Sequence, residues 1–198
     1  VVRPLVAMKN EGAHFDVVEW SSDNDEMVAN VRRAIRPDTK LLICTHASNV
    51  FGVVTPIRKL GRLAQEYGLR FCVDAAQTAG VLPIDMQMDN IDYLCVAPHK
   101  GLYGPMGCGL LLCREKNDIP PFIRGGTGSY SMLTTQPEEL PDRLESGTIN
   151  TPGICGLMAG ITFVKTKGRE NIYRHEISLL QNIYENLVGC EQIQLYTP

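Results

Sequence analysis

None of the seven cysteines is spaced as a CxxC pair, so the usual ligand pattern of a zinc site is missing. The formal net charge is −3, which leaves no basic surplus for a nucleic-acid backbone. Apolar runs stay well short of a membrane span, and Val1 begins mid-pattern, without the basic segment and apolar core of a signal peptide. There is no internal repeat and no low-complexity tract. These absences set aside nucleic-acid binding, membrane insertion and a metal centre. The cysteine count is odd, and five of the seven lie in or beside apolar strand-like runs. There cysteine acts as a small hydrophobe, which points to a reducing, cytoplasmic compartment.

What is present is an ordinary globular composition, 44% hydrophobic and 21% charged over 198 residues, enough for one domain with a sizeable core. "HFDVVEW" (14–20) reads as a strand, and "NDEMVANVRRAI" (24–35) as an amphipathic helix stopped by Pro37. "TKLLICTHAS" (39–48) reads as a buried strand. "TPIRKLGRLAQEYG" (55–68) predicts a helix with Thr55 as N-cap, Pro56 at its first position and Gly68 as its stop. "LRFCVDAAQ" (69–77), "DYLCVA" (92–97) and "GCGLLLC" (107–113) are further apolar strands. Strand, helix, strand with apolar strands implies an α/β fold with mainly parallel pairing. A long Pro-, Gly-, Ser- and Thr-rich stretch (117–153) follows, and a loop of that length is usually functional or packs on a partner. Two helices are then expected, over 152–167 and 169–188. The first is apolar enough to be buried, and "QIQLYTP" (192–198) begins another strand.

Polar residues gather where these strands end: His46, Ser48 and Asn49 after the first buried strand, Asp74 and Gln77 after the second, His99 and Lys100 after the third. In an open α/β sheet, ligands bind beyond the carboxyl ends of the strands. A lysine amine beside apolar strands can form a Schiff base with an aldehyde. An aspartate at a neighbouring strand end can keep a pyridine nitrogen protonated, and Gly-rich turns with hydroxyls bind phosphate. Together these are the requirements of pyridoxal phosphate. Taken singly, Asp74 and Gln77 also suit a turn, His99 a core histidine and Lys100 a solvated loop. His46 reads as structural, and His14 and His175 as surface residues. "RGGTGS" (124–129) is either a flexible loop or part of a phosphate cup on the dimer side, and Arg143 with Glu145 suggests an ion pair.

The order of four segments decides between these readings. "THASNVFGVVTPI", "FCVDAAQTAGVLPID", "APHKGLYGPMGCGLL" and "RLESGTINTPG" resemble the motif series of class V aminotransferases, most closely the cysteine desulfurase and selenocysteine lyase branch. The resemblance implies a three-layer α/β sandwich, the large domain of pyridoxal phosphate fold type I, over residues 1–188. A smaller domain would begin at 189–198. It implies that Lys100 joins the cofactor as a Schiff base, Asp74 partners the pyridine nitrogen, Gln77 bonds the phenolic oxygen and His99 reaches the phosphate. Asn49 would contact cofactor or substrate, and Thr148 the phosphate of a neighbouring subunit in a homodimer. The activity implied is removal of sulfur or selenium from cysteine or selenocysteine, leaving alanine, with a possible sulfur-acceptor protein as partner. An aminotransferase or epimerase on the same scaffold, or a non-catalytic fragment, is the alternative.

Departures from the family pattern carry their own expectations. Ala97 stands where many relatives have a phosphate-binding serine. The family's N-terminal phosphate loop and ring-stacking histidine would precede Val1, and its carboxylate-binding arginine and persulfide cysteine would follow Pro198. The chain therefore reads as the central part of a longer enzyme, incomplete at both ends and inert or nearly so by itself.

Overall fold

The computed structural model describes residues 1–115 and 119–196. Its centre is a four-stranded sheet of β1 (Leu41–Thr45), β2 (Arg70–Asp74), β3 (Tyr93–Val96) and β4 (Leu110–Cys113), in that spatial order. β1, β2 and β3 are mutually parallel, with Thr45 opposite Asp74 and Asp74 opposite Cys95; β4 runs antiparallel, with Leu110 opposite Val96. Because side chains alternate along a strand, Phe71, Val73, Leu94 and Val96 share one face, and all four are buried. Met27 and Val31 of α2 (Asn24–Ala34) and Ile57, Leu60, Leu63 and Ala64 of α3 (Ile57–Glu66) cover that face and complete the core. Cys72, Asp74, Tyr93 and Cys95 point the other way and are half-buried.

Local chemistry sets the helix ends. Asp23 caps α2 by accepting from the N–H groups of Asp25 and Glu26 at 2.8 and 2.9 Å, the usual use of an N-cap carboxylate. Thr55 does not cap α3 as expected. Its hydroxyl instead donates to the Thr45 carbonyl at 2.8 Å, the helix begins at Ile57, and Pro56 stands at the cap. Gly68 ends the helix with φ +65°, a conformation glycine adopts without strain.

Several expectations fail for identifiable reasons. Residues 14–20 form no strand, because no described strand pairs with them, and Val17 is exposed; an isolated strand is not stable in water. A helix the pattern did not suggest, α1 (Val2–Lys9), precedes them and buries no residue. α4 (Thr151–Lys167) and α5 (Arg169–Leu187) form within a residue of expectation. α4, however, is not a buried helix: only Gly153, Leu157, Gly160 and Val164 are buried along it, and Met158 is 64% exposed. Its glycines serve close approach rather than apolar burial. A Cβ on Gly160 would lie 2.2 Å from the Leu102 carbonyl oxygen, and one on Gly156 would lie 2.9 Å from the Pro105 ring. The long loop holds one 3-10 turn, Asp142–Leu144, with its residues 117 and 118 outside the described residues. Arg143 donates to the carbonyls of Ile119 and Glu138 at 3.0 and 3.5 Å; no Arg143–Glu145 ion pair forms among the described residues. Residues 193–196 are not a strand, and Thr197 and Pro198 lie outside the described residues.

Candidate functional site

Three parallel strands ending side by side put their C-terminal loops on one edge of the sheet. β1 hands over to a short hairpin: Ala47 bridges Val54, and the Ser48 N–H donates to Val53 O at 2.9 Å. The Ser48 hydroxyl accepts from the N–H groups of Val50 and Phe51 at 3.2 Å each, shaping the tip beside the exposed Asn49. β2 hands over to a turn in which Asp74 Oδ1 accepts from the Ala76 N–H at 3.0 Å, with Asp74 and Gln77 half-buried. β3 hands over to the buried Pro98 and the exposed His99 and Lys100. Backbone bonds from Lys100 N–H to Ala97 O (3.1 Å) and from Tyr103 N–H to Lys100 O (3.0 Å) close that turn.

The second and third turns touch through glycine. A Cβ on Gly80 would sit 2.2 Å from the Gly101 carbonyl oxygen, and one on Gly101 would sit 2.4 Å from the Ala79 oxygen. Two bare backbones therefore meet where side chains would hold the Gln77 and Lys100 turns apart. Gly80 also has φ +88°. A Gly80→Ala variant is expected to lose well over ~1 kcal/mol of stability. Urea midpoints check this, and a variant with the wild-type midpoint would show the contact to be incidental.

Asn49, Asp74, Gln77, His99 and Lys100 thus share one edge. Thr148 is exposed and lies two residues before Asn150, whose side chain accepts from the Gly153 N–H at 3.1 Å to cap α4. Asn150 also reaches Cys108 at 3.6 Å, so the Thr148 segment is anchored next to the turn that leads into β4. His14 and His175 are exposed, as expected. All seven cysteines are free. Burial, and secondarily the Asp74 charge, pushes the Cys44 thiol up to about 12, and the Cys72 thiol is raised by its hydrogen bond to Cys95 and by burial. Both are held as thiols, in keeping with packing rather than nucleophilic use. Among the described residues no cluster of three or more His, Cys, Asp or Glu could hold a metal ion.

Sequence reasoning passed over Thr78. It is 1% exposed, and its hydroxyl lies 2.8 Å from Nδ1 of His46, which is 4% exposed. Burial pulls the His46 pKa below its ordinary value, against a smaller opposing pull from Asp89. In the unfolded chain the imidazole takes a proton near pH ~6.5. Below that pH the unfolded state binds more protons, so stability falls as the pH drops from ~6.5 toward the depressed folded value, and it is unaffected above ~6.5. Urea midpoints at pH 7.5 and 5.5 are expected to differ more for the wild type than for His46→Asn, and equal differences would remove His46 as the cause.

The class V aminotransferase family model matches residues 2–198, and the chain belongs to that family. A probable cysteine desulfurase of Pyrococcus abyssi is 34% identical over 194 residues, 96% of this chain and 48% of that protein. A cysteine desulfurase of Escherichia coli O157:H7 is 34% identical over 193 residues, 94% of this chain and 47% of its own length. The solved structure of the cysteine desulfurase CsdA from Escherichia coli superposes with a TM-score of 0.83 at 27% identity, covering 96% of this chain and 48% of that one. The apo cysteine desulfurase of Thermococcus onnurineus gives 0.77 at 28% identity, again over 96% and 48%. The chain spans about half the length of the relatives it matches.

Proposed function

We propose that this chain forms the cofactor-binding large domain, residues 1–188, of a pyridoxal phosphate-dependent cysteine desulfurase. The observation that carries the reading is the shared edge, where the ends of parallel β2 and β3 bear Asp74, Gln77 and Lys100 and a glycine contact joins their two turns. The donor set fits the cofactor: an amine for its aldehyde, a carboxylate for its ring nitrogen, an amide for its phenolic oxygen and a histidine for its phosphate. Bound there, pyridoxal phosphate supplies an electron sink for negative charge developing at the substrate α-carbon. Lys100 Nζ holds the cofactor and, as an amine on an exposed turn, can take up and return a proton. Asp74 keeps the proton on the ring nitrogen, Gln77 orients the ring, His99 engages the phosphate, and Asn49 contacts cofactor or substrate.

The same reading assigns Thr148 to the phosphate of a second subunit in a homodimer. Exposed apolar side chains support such an interface: Phe122 is 69% and Met132 95% exposed in the long loop, and Met106 is 82% exposed in the loop after Lys100. A sulfur-acceptor protein would complete the reaction. Seven free cysteines suit a reducing, cytoplasmic setting, and among the described residues no helix is long and apolar enough to cross a membrane. Loaded with pyridoxal phosphate, the protein carrying this chain is expected to release sulfur and alanine from cysteine in equal amounts. A cofactor-bound protein that yields keto acid instead, with no sulfide in the presence of a thiol reductant, would be an aminotransferase.

A further inference from the structure

His46 belongs to no cofactor contact proposed above, yet it sits where the hairpin after β1 meets the turn after β2. Its N–H donates to the Asp74 carbonyl at 2.8 Å, extending the β1–β2 pairing by one residue, and its carbonyl accepts from the Thr55 N–H at 2.8 Å, closing the base of the Asn49 hairpin. Its ring contact with the Thr78 hydroxyl bridges residues 32 apart in the chain. Thr78 in turn anchors the Gln77 turn: its N–H donates to Ala75 O at 3.0 Å, and its carbonyl accepts from Val81 and Leu82 at 3.0 and 2.9 Å. That turn carries Gly80, which abuts Gly101 next to Lys100. A buried imidazole is a costly space-filler unless its polar atoms are bonded. Here one side-chain bond joins the base of the Asn49 hairpin to the turn bearing Gln77.

We infer that His46 is a positioning residue that acts through Thr78 to hold Gln77 in register with Asn49 and Lys100; the inference rests on the function proposed above. Thr78→Val removes the hydroxyl while nearly keeping the shape, and Thr78→Ser keeps the hydroxyl. In the cofactor-free protein, Thr78→Val is expected to move the NMR resonance of the Gln77 side-chain amide, and Thr78→Ser to leave it in place. In the loaded protein, the valine variant is expected to bind pyridoxal phosphate ~10-fold more weakly, the scale of one net hydrogen bond. Its visible absorption band should shift and its kcat fall with little change in KM, with serine restoring each value. His46→Asn, which offers a polar atom near the Nδ1 position, should resemble the serine variant. Should valine prevent folding, Thr78→Ala adds no bulk and carries the same comparison. A valine or alanine variant with a lower urea midpoint but an unmoved Gln77 resonance, band and cofactor affinity would reduce the bond to core packing and overturn the inference. A wild type that takes up no pyridoxal phosphate overturns the proposed function instead, and with it the catalytic purpose of the link, even if the Gln77 resonance moves.

Discussion

Replacing Lys100 with alanine is expected to end covalent retention of pyridoxal phosphate and to lower turnover by ~10⁴-fold, the upper range for a positioned acid–base group. Lys100 is exposed on its turn, and its backbone bonds to Ala97 and Tyr103 do not involve the side chain. The variant should therefore fold normally, with stability changed by no more than about 0.5 kcal/mol. Borohydride reduction followed by denaturation distinguishes the cases: cofactor stays with the wild-type chain and separates from the variant. Retention of reduced cofactor by Lys100→Ala at the wild-type level would move the attachment to another amine. A cofactor-free wild type after the same treatment would count against the family's chemistry at this edge altogether.

The second large effect is expected at Asp74. Asp74→Asn keeps an oxygen to accept from the Ala76 N–H, a bond of 3.0 Å in the native turn, so local structure survives while the charge goes. A neutral amide cannot hold a proton on the pyridine nitrogen, and steps that develop negative charge at the substrate should slow by ~10²-fold or more. Cofactor content and circular dichroism should stay close to wild type. A soluble, loaded Asp74→Asn protein turning over at the wild-type rate would leave the carboxylate only its turn-capping role.

Local periodicity carried the sheet and its helices: Phe71 and Val73 alternate with Cys72 and Asp74 in the sequence as they do across the two faces. It failed where a residue's role depends on a neighbour distant in the chain. "HFDVVEW" alternates well enough for a strand but has no described strand to pair with. "GICGLMAGITFV" looks like a core helix because it is uncharged and mostly apolar, whereas Gly156 and Gly160 admit the Pro105 ring and the Leu102 backbone at close range. Thr55 has the composition of a cap but bonds back to Thr45. The edge bearing Asp74, Gln77 and Lys100 was legible because strand ends can be read locally and parallel pairing aligns them. The His46–Thr78 bond was not, since nothing in either segment marks the other as its partner.

Strands that are neighbours in sequence are also neighbours in the sheet, β1 through β4 in order. For a mostly parallel sheet this keeps loop closures short, and low sequence separation favours rapid folding. Residues 41–100, from β1 through the Lys100 turn with β2 at their centre, are thus expected to form as one cooperative unit without waiting for α4, α5 or the long loop. β2 is hydrogen-bonded on both sides and carries the fully buried Phe71 and Val73. Its amides should be among the last to exchange with solvent, opening only as the whole unit unfolds. The segment that ends in Asp74 is then anchored in the least mobile part of the chain, while His99 and Lys100 at the rim stay free to meet a ligand.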